Sequence, residues 1–284
     1  MKSLVRFINE ALKHSSKDKY ISEAFNDAKN GDEFYTRLED IEKELSNYNF
    51  KNSVVYCNCD DPSFSNFWKY FKENFDKLGL KLLLSTYYSN EPKLTIFDGK
   101  DIEEKKIKSG RFQDNLNIIK EYKVNWVVTN PPYSGGAPLE LTEELLKQKV
   151  NFVFCGPLHL LVNKKFFELF KQNKVSCGYT NINSFSRPDG EDKNAPAAWF
   201  TNIDVDKPKY VGKGDGSNLP KYEDIDAIEC NPSSKIPSDK YKGKMGVPYR
   251  FLTKINRDQF DILDIITPIL NGKKKMKRIL IQYK

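Results

Sequence analysis

A chain of 284 residues with 39% hydrophobic content carries enough apolar side chain for a sizeable core, in one large domain or one and a half. Its net charge of +7 and pI near 8.9 favour a polyanionic partner. No run approaches the ~20 apolar residues that span a bilayer, and the start, Met1-Lys2-Ser3-Leu4-Val5-Arg6, lacks the apolar centre and cleavage site of a signal peptide. These features exclude a membrane-spanning class and lead to the expectation of a cytoplasmic protein. The five cysteines and two distant histidines support neither a disulfide framework nor a metal site.

Phe25 to Leu45 is a charged stretch with Phe34, Leu38, Ile41 and Leu45 at helical spacing, which predicts a helical lead-in over residues 1–50. Ser53 to Cys57 predicts a first strand, Phe64 to Leu78 an amphipathic helix, and Lys81 to Tyr87 a second strand, with Gly79 stopping the helix between them. A third strand is predicted at Leu94 to Phe97, then a helix from Gln113 to Tyr122 and a buried strand from Val124 to Thr129. A helix from Leu139 to Gln148 and a strand from Val150 to Cys155 follow. Strands alternating with helices of this length imply βαβ units and a parallel sheet, an α/β core over residues 51–178. After Lys174 the rhythm gives way to glycine- and proline-rich loops through Gly246. Phe251 to Ile266 regains helical character, and a basic strand from Arg278 to Gln282 closes the chain over residues 251–284.

Asn130-Pro131-Pro132-Tyr133 follows the buried strand directly, at the edge where open α/β sheets bind ligands. Two consecutive prolines hold the backbone extended and leave its carbonyls free to accept hydrogen bonds. Asn130 adds an amide oxygen and Tyr133 a flat ring, so the tip suits an exocyclic amine on a planar heterocycle such as adenine. Asn-Pro-Pro is also an ordinary strand terminator. The following Ser134-Gly135-Gly136 favours the functional reading, because small residues let a ligand approach the backbone.

The turn after the first strand, Asn58-Cys59-Asp60-Asp61-Pro62-Ser63, places two carboxylates before a helix, where nucleotide-like cofactors sit. Without Gly-x-Gly-x-x-Gly a pyrophosphate is a poor fit, and the acids suit a cation instead. S-adenosylmethionine, with its sulfonium and ammonium, is the expected cofactor. The rival reading is that Asp60 or Asp61 caps the helix. Between about 179 and 250, Lys, Arg, Tyr, Gly and Pro interleave as in loops that track a nucleic-acid backbone, or as in a solvated loop region. The cluster Lys273-Lys274-Lys275 with Lys277 and Arg278 reads equally as a solvated turn or as phosphate contacts.

These motifs resemble the EcoRI modification methylase family of adenine-specific DNA methyltransferases. The likeness rests on Glu33-Phe34-Tyr35-Thr36, Val55 to Pro62, Val127 to Ser134, Trp199-Phe200-Thr201-Asn202, Pro220-Lys221-Tyr222 and Gly243 to Pro248. It implies a Rossmann-like S-adenosylmethionine-dependent methyltransferase sheet with helices on both faces, followed by target-recognition loops at 179–250. Tyr35 and Thr36 match the segment that contacts the cofactor's amino-acid moiety, and Asn58, Asp60 and Asp61 match the first cofactor turn. Asn130 and the Pro131 carbonyl would accept the adenine amine, and Tyr133 would stack on a base flipped from double-stranded DNA. Phe200 and Phe185 are candidates for the other face of the base. Arg187, Lys242, Lys244 and Arg250 are candidates for phosphate or base contacts. Where the family is expected to carry an acidic stretch, this chain reads Ser109-Gly110-Arg111-Phe112, which leaves Asp98 or Asp114 to substitute. No metal is needed. A monomer is expected, with a cognate restriction endonuclease as a second partner of the same DNA site. Alternatives are an RNA or protein-glutamine methyltransferase, or a catalytically degenerate homologue that binds DNA.

Overall fold

The computed structural model describes residues 35–284 except 88, 134–135, 183, 187–191 and 194–195. The helical pattern before residue 35 and Arg187 therefore lie outside the described residues. The chain divides into two compact units, one reaching Pro157 and including Thr180–Asn202, the other formed by Leu158–Tyr179 and Ile203–Lys284. No described helix is long and apolar enough to cross a membrane.

The first unit opens with β1 (Tyr35–Thr36), α1 (Leu38–Leu45), β2 (Val54–Asn58), α2 (Asn66–Glu73), α3 (Phe75–Leu78) and β3 (Leu82–Thr86). It continues through β4 (Lys93–Phe97), β5 (Ile102–Lys106), a 3-10 turn at Phe112–Asn115, α4 (Leu116–Glu121), β6 (Trp126–Thr129), α5 (Ala137–Gln148) and β7 (Asn151–Pro157). After α6 (Lys164–Lys171) of the second unit, β8 (Ser176–Ile182) leads back into the first. The short strands β9 (Phe185–Ser186) and β10 (Asp192–Lys193) and the longer β11 (Ala197–Thr201) follow. The large sheet has the order β5-β4-β3-β2-β6-β7-β11-β8. Its centre, β3-β2-β6-β7, is parallel, which is the Rossmann-like arrangement. The flanks are antiparallel, so the sheet is mixed rather than wholly parallel.

The sequence explains the centre well. Val54–Asn58 and Trp126–Thr129 are buried at every position, as strands covered on both faces must be. In α2 the buried residues Phe67, Trp68, Tyr70 and Phe71 form one apolar stripe. The predicted helix breaks at Asn74, whose side-chain amide donates to the Tyr70 carbonyl at 2.9 Å, and ends at Gly79 with φ 64°. Asn125 stitches the sheet together. Its Oδ1 accepts from the Val54 N–H at 2.8 Å, and its carbonyl accepts from Asn151 at 3.1 Å.

Three expectations are corrected. Residues 197–201, expected among loops, form β11, paired antiparallel with β7 inside the large sheet. The expected helix from Phe251 to Ile266 is a 3-10 turn at Tyr249–Thr253 followed by β14 (Phe260–Ile266). A bulge between Ile262 and Asp264 interrupts the period-two alternation and gives the sequence a false helical spacing. The closing strand β17 (Arg278–Tyr283) joins a separate sheet with β12 (Ile228–Glu229), β13 (Met245–Pro248) and β14, in the order β12-β13-β17-β14, and not the large sheet.

The second unit's core contains a buried ion pair, in which Arg278 Nη2 lies 2.8 Å from Glu229 Oε1 and the Tyr222 hydroxyl donates to Glu229 Oε2. A Cβ at Gly246 would stand 2.2 Å from the Tyr222 hydroxyl oxygen. This packing gives a physical reason for the glycine of the Met-Gly-Val-Pro segment. Removing one partner of such a pair strands the other in low dielectric. Arg278→Met is expected to destabilise the protein by about 3 kcal/mol in urea or thermal unfolding, and Arg278→Met with Glu229→Gln to recover part of that loss.

Candidate functional site

The C-terminal ends of β2, β3, β6 and β7 converge on one edge of the large sheet. The Thr129 hydroxyl donates to the Asn58 carbonyl, locking the tip of β6 to the tip of β2. The turn residue Cys59 takes a left-handed conformation with φ 67°, one that glycine adopts more easily. The Asp60 N–H donates to the Thr86 carbonyl at 3.2 Å, and the Ser85 hydroxyl donates to the Asp60 carbonyl. Asp60 is thereby fixed between three strand tips, only 6% exposed.

Its carboxyl group is the electrostatic feature of the site. Oδ1 accepts the Ser65 hydroxyl at 2.7 Å, while Oδ2 is buried with no hydrogen-bond donor. Burial pushes the group up to about 7, against the opposing pull of the Ser65 hydroxyl. Asn58 Oδ1 is a second buried acceptor without a donor. Two such acceptors at one strand tip fit a ligand that brings N–H donors and positive charge, which is what the ammonium of S-adenosylmethionine offers. Neither aspartate caps α2. Ser65 does, accepting from Phe67 at 3.1 Å and Trp68 at 3.3 Å. Asp61 is half-exposed and accepts the Ser63 N–H at 2.8 Å; its charge adds to the burial that raises the Tyr87 hydroxyl.

The motif lies directly beside this acid. Asn130 is half-buried, at the tip of β6 that Thr129 ties to Asn58. Pro131 is buried, Pro132 exposed and Tyr133 half-buried. The Tyr133 hydroxyl lies 2.9 Å from Cys155 Sγ on β7, and its ring meets Phe185 edge-on at 6.3 Å. Phe185 pairs with Thr36, and Tyr35 pairs with Ser186. The Asn66 side chain donates to the Thr36 carbonyl at 2.9 Å, which ties this small sheet to the start of α2. Tyr35, Thr36, Asn58, Asp60, Asp61, Asn130, Pro131, Pro132 and Tyr133 are thus brought together.

Other expected residues stand elsewhere. Phe200 is fully buried on β11, its ring 5.5 Å from Phe154, a position in the sheet core. Asp98 follows Phe97, which pairs with Leu83 near the start of β3, so it lies at the opposite edge and caps the turn into β5. The next strand returns to the site's edge, where Lys106 pairs with Lys93. Asn115 then holds the following loop through the carbonyls of Ser109 and Arg111, at 2.8 and 2.7 Å. Asp114 is exposed beside that loop. Lys242, Lys244 and Arg250 are exposed in the second unit. Sequence reasoning missed Ser65, Thr129 and Cys155. Only Ser65 had a local signal, as a serine immediately preceding an apolar helical stripe.

Residues 22–108, 93–197 and 183–283 match the family described as adenine-specific methyltransferase EcoRI. The chain is 34% identical to Type II methyltransferase M.EcoRI of Escherichia coli, over 89% of this chain and 93% of that protein. It is 33% identical to Type II methyltransferase M.MgeORF184P of Mycoplasma genitalium, over 85% of this chain and 86% of that one. It is also 33% identical to Type II methyltransferase M.MpnI of Mycoplasma pneumoniae, over 85% of each.

A carboxyl raised from 3.8 to about 7 by folding is protonated in the native state and ionised in the unfolded state between those values. Stability therefore falls as pH rises from about 4 to 7, by roughly 4 kcal/mol from this group, and is flat above. Asp60→Asn should raise the unfolding temperature at pH 8 and leave it nearly unchanged at pH 4. The measurement is a pair of thermal scans.

Proposed function

The chain belongs to the adenine-specific methyltransferase EcoRI family, and from that membership we propose how its residues carry out site-specific methylation of adenine N6 in DNA. The carrying observation is the bond from the Thr129 hydroxyl to the Asn58 carbonyl, which holds the strand that ends in the motif against the strand that ends in the acidic turn. S-adenosylmethionine, when bound, supplies an electrophilic methyl group on a sulfonium. Asp60 and Asn58 hold its ammonium, with Tyr35, Thr36 and Asp61 around its amino-acid end. Asn130 Oδ1 and the Pro131 carbonyl accept the two N–H bonds of the adenine amine, which concentrates the nitrogen lone pair on the side facing the methyl group. Pro132 stiffens the backbone that carries those acceptors. Tyr133 stacks on the base, flipped from the duplex, with Phe185 rather than Phe200 as its aromatic neighbour. Transfer is a direct displacement at the methyl carbon, and rate enhancement comes from positioning and from these fixed acceptors.

Double-stranded DNA is the substrate, read by loops within 179–250 and held through Lys242, Lys244, Arg250 and Arg187. The protein acts as a monomer, and a cognate endonuclease cutting the same site is its functional counterpart. The reading as an RNA or protein-glutamine methyltransferase is less favoured, because the first turn carries Asn-Cys-Asp-Asp in place of glycines. A degenerate methylase is disfavoured by the intact Asn-Pro-Pro-Tyr motif.

Asn130→Ala is expected to lower methyl transfer by at least ~100-fold while leaving DNA affinity within a few-fold. Unmethylated genomic DNA is incubated with each protein and S-adenosylmethionine, digested to nucleosides and analysed by mass spectrometry. N6-methyldeoxyadenosine formed equally by the variant would refute the assignment. Absence of product from the unaltered protein would redirect it to RNA or to a non-catalytic role.

A further inference from the structure

The second unit holds the chain's positive charge. Its sequence contains twenty-one Lys and Arg against twelve Asp and Glu, more than the whole chain's net excess. One element concentrates that charge in a fixed shape. Ile269–Leu270 and Lys273–Lys274 form the two-stranded hairpin β15-β16, closed by Asn271 and Gly272 with φ 54° and 65°, a turn built for two positive-φ residues. Leu270, next to the turn, anchors the hairpin in a core cluster with Tyr222, Ile266 and Leu280.

The neighbouring acids bind the hairpin's backbone. Glu223 Oε1 accepts the Gly272 N–H at 2.9 Å, and Asp224 Oδ1 accepts the Ile269 N–H at 2.8 Å. The Glu223 N–H donates to the Ile269 carbonyl at 3.0 Å, and Lys275 N–H to the Pro268 carbonyl at 2.8 Å. The hairpin is therefore rigidly presented. Lys273 and Lys274 are exposed, Lys275 is half-buried, and none has an ion-pair partner among the described residues. Lys277 differs, donating to the Val162 carbonyl at 3.2 Å. Glu223 and Asp224 commit their carboxylates to the hairpin's backbone N–H groups, which leaves the three ammonium groups without a paired carboxylate among the described residues. A polyanion would pair with them.

We propose that this hairpin is a contact surface for the phosphate backbone of duplex DNA, through Lys273, Lys274 and Lys275. It rests on the reading of the protein as a DNA methyltransferase, and adds a non-specific holding element separate from Lys242, Lys244 and Arg250. The hairpin backbone is already ordered and adds no further cost on binding, and each phosphate neutralised releases condensed counterions.

The test is DNA affinity as a function of salt for the intact protein, for Lys273→Gln/Lys274→Gln/Lys275→Gln, and for Lys120→Gln/Lys123→Gln/Lys149→Gln. The last triple has the same charge change at the sheet edge opposite the motif. The hairpin triple should reduce the slope of log affinity against log salt by about 0.9 per contact, roughly 2.7 in all. It should raise KM for DNA about tenfold or more at moderate salt, with kcat at saturating DNA and S-adenosylmethionine affinity unchanged, and the control should keep the parent slope. A parent slope retained by the hairpin triple, or an equal loss in the control, overturns the hairpin assignment alone. A parent affinity indifferent to salt overturns it together with the DNA-binding reading.

Discussion

Asp60 holds a carboxyl group that is buried, and no cation among the described residues balances it. Every other part of the site is arranged around that group. Its backbone N–H is bound by β3, its carbonyl by Ser85, and its carboxylate by Ser65 at the start of α2. Placing an isolated carboxylate there is unfavourable, so the group stays protonated up to about pH 7. A cation bound beside it reverses that balance. In the proposed role, the cost of burying the acid is recovered when the cationic cofactor binds.

The acidic turn and the motif are held side by side, because the strand tips that carry them are bonded through the Thr129 hydroxyl and the Asn58 carbonyl. The Tyr133 ring is set independently by Cys155 on β7 and by Phe185, which is paired with Thr36. Segments distant in sequence thus fix the Tyr133 ring. The parallel strands β3-β2-β6-β7 supply the rigid frame, and the mutual ties of Thr129 to Asn58 and of Asn125 to Val54 keep their tips in register.

The legible parts of the sequence were those governed by local rules. Asn130-Pro131-Pro132-Tyr133 follows an unbroken apolar strand, and Asp60 follows another, so their meeting at one sheet edge follows from α/β topology. The hidden parts depend on long-range contacts or broken periods. Tyr133 and Cys155 meet because β6 and β7 are neighbours, a pairing no spacing in the sequence encodes. Phe200 looked available beside the motif because β11, a five-residue strand, sits between glycine- and proline-rich segments. The polar strand β5, exposed at every position, carries no hydrophobic pattern at all. Its return path is why Asp98 falls at the wrong edge while residues 109–115 arrive at the right one. The bulge in β14 disguised a strand as a helix.

The most direct test is calorimetric titration with S-adenosylmethionine at pH 6.5 and pH 9, each in two buffers of different ionisation enthalpy. Binding at pH 6.5 should release a large fraction of one proton as Asp60 ionises beside the ammonium, a release lost in Asp60→Asn; at pH 9, where Asp60 is already ionised and the ligand's free amine is mostly neutral, proton uptake should replace it. Tight binding at pH 6.5 with no dependence on buffer would contradict the account, since it would leave the carboxyl protonated and the cation held by something else.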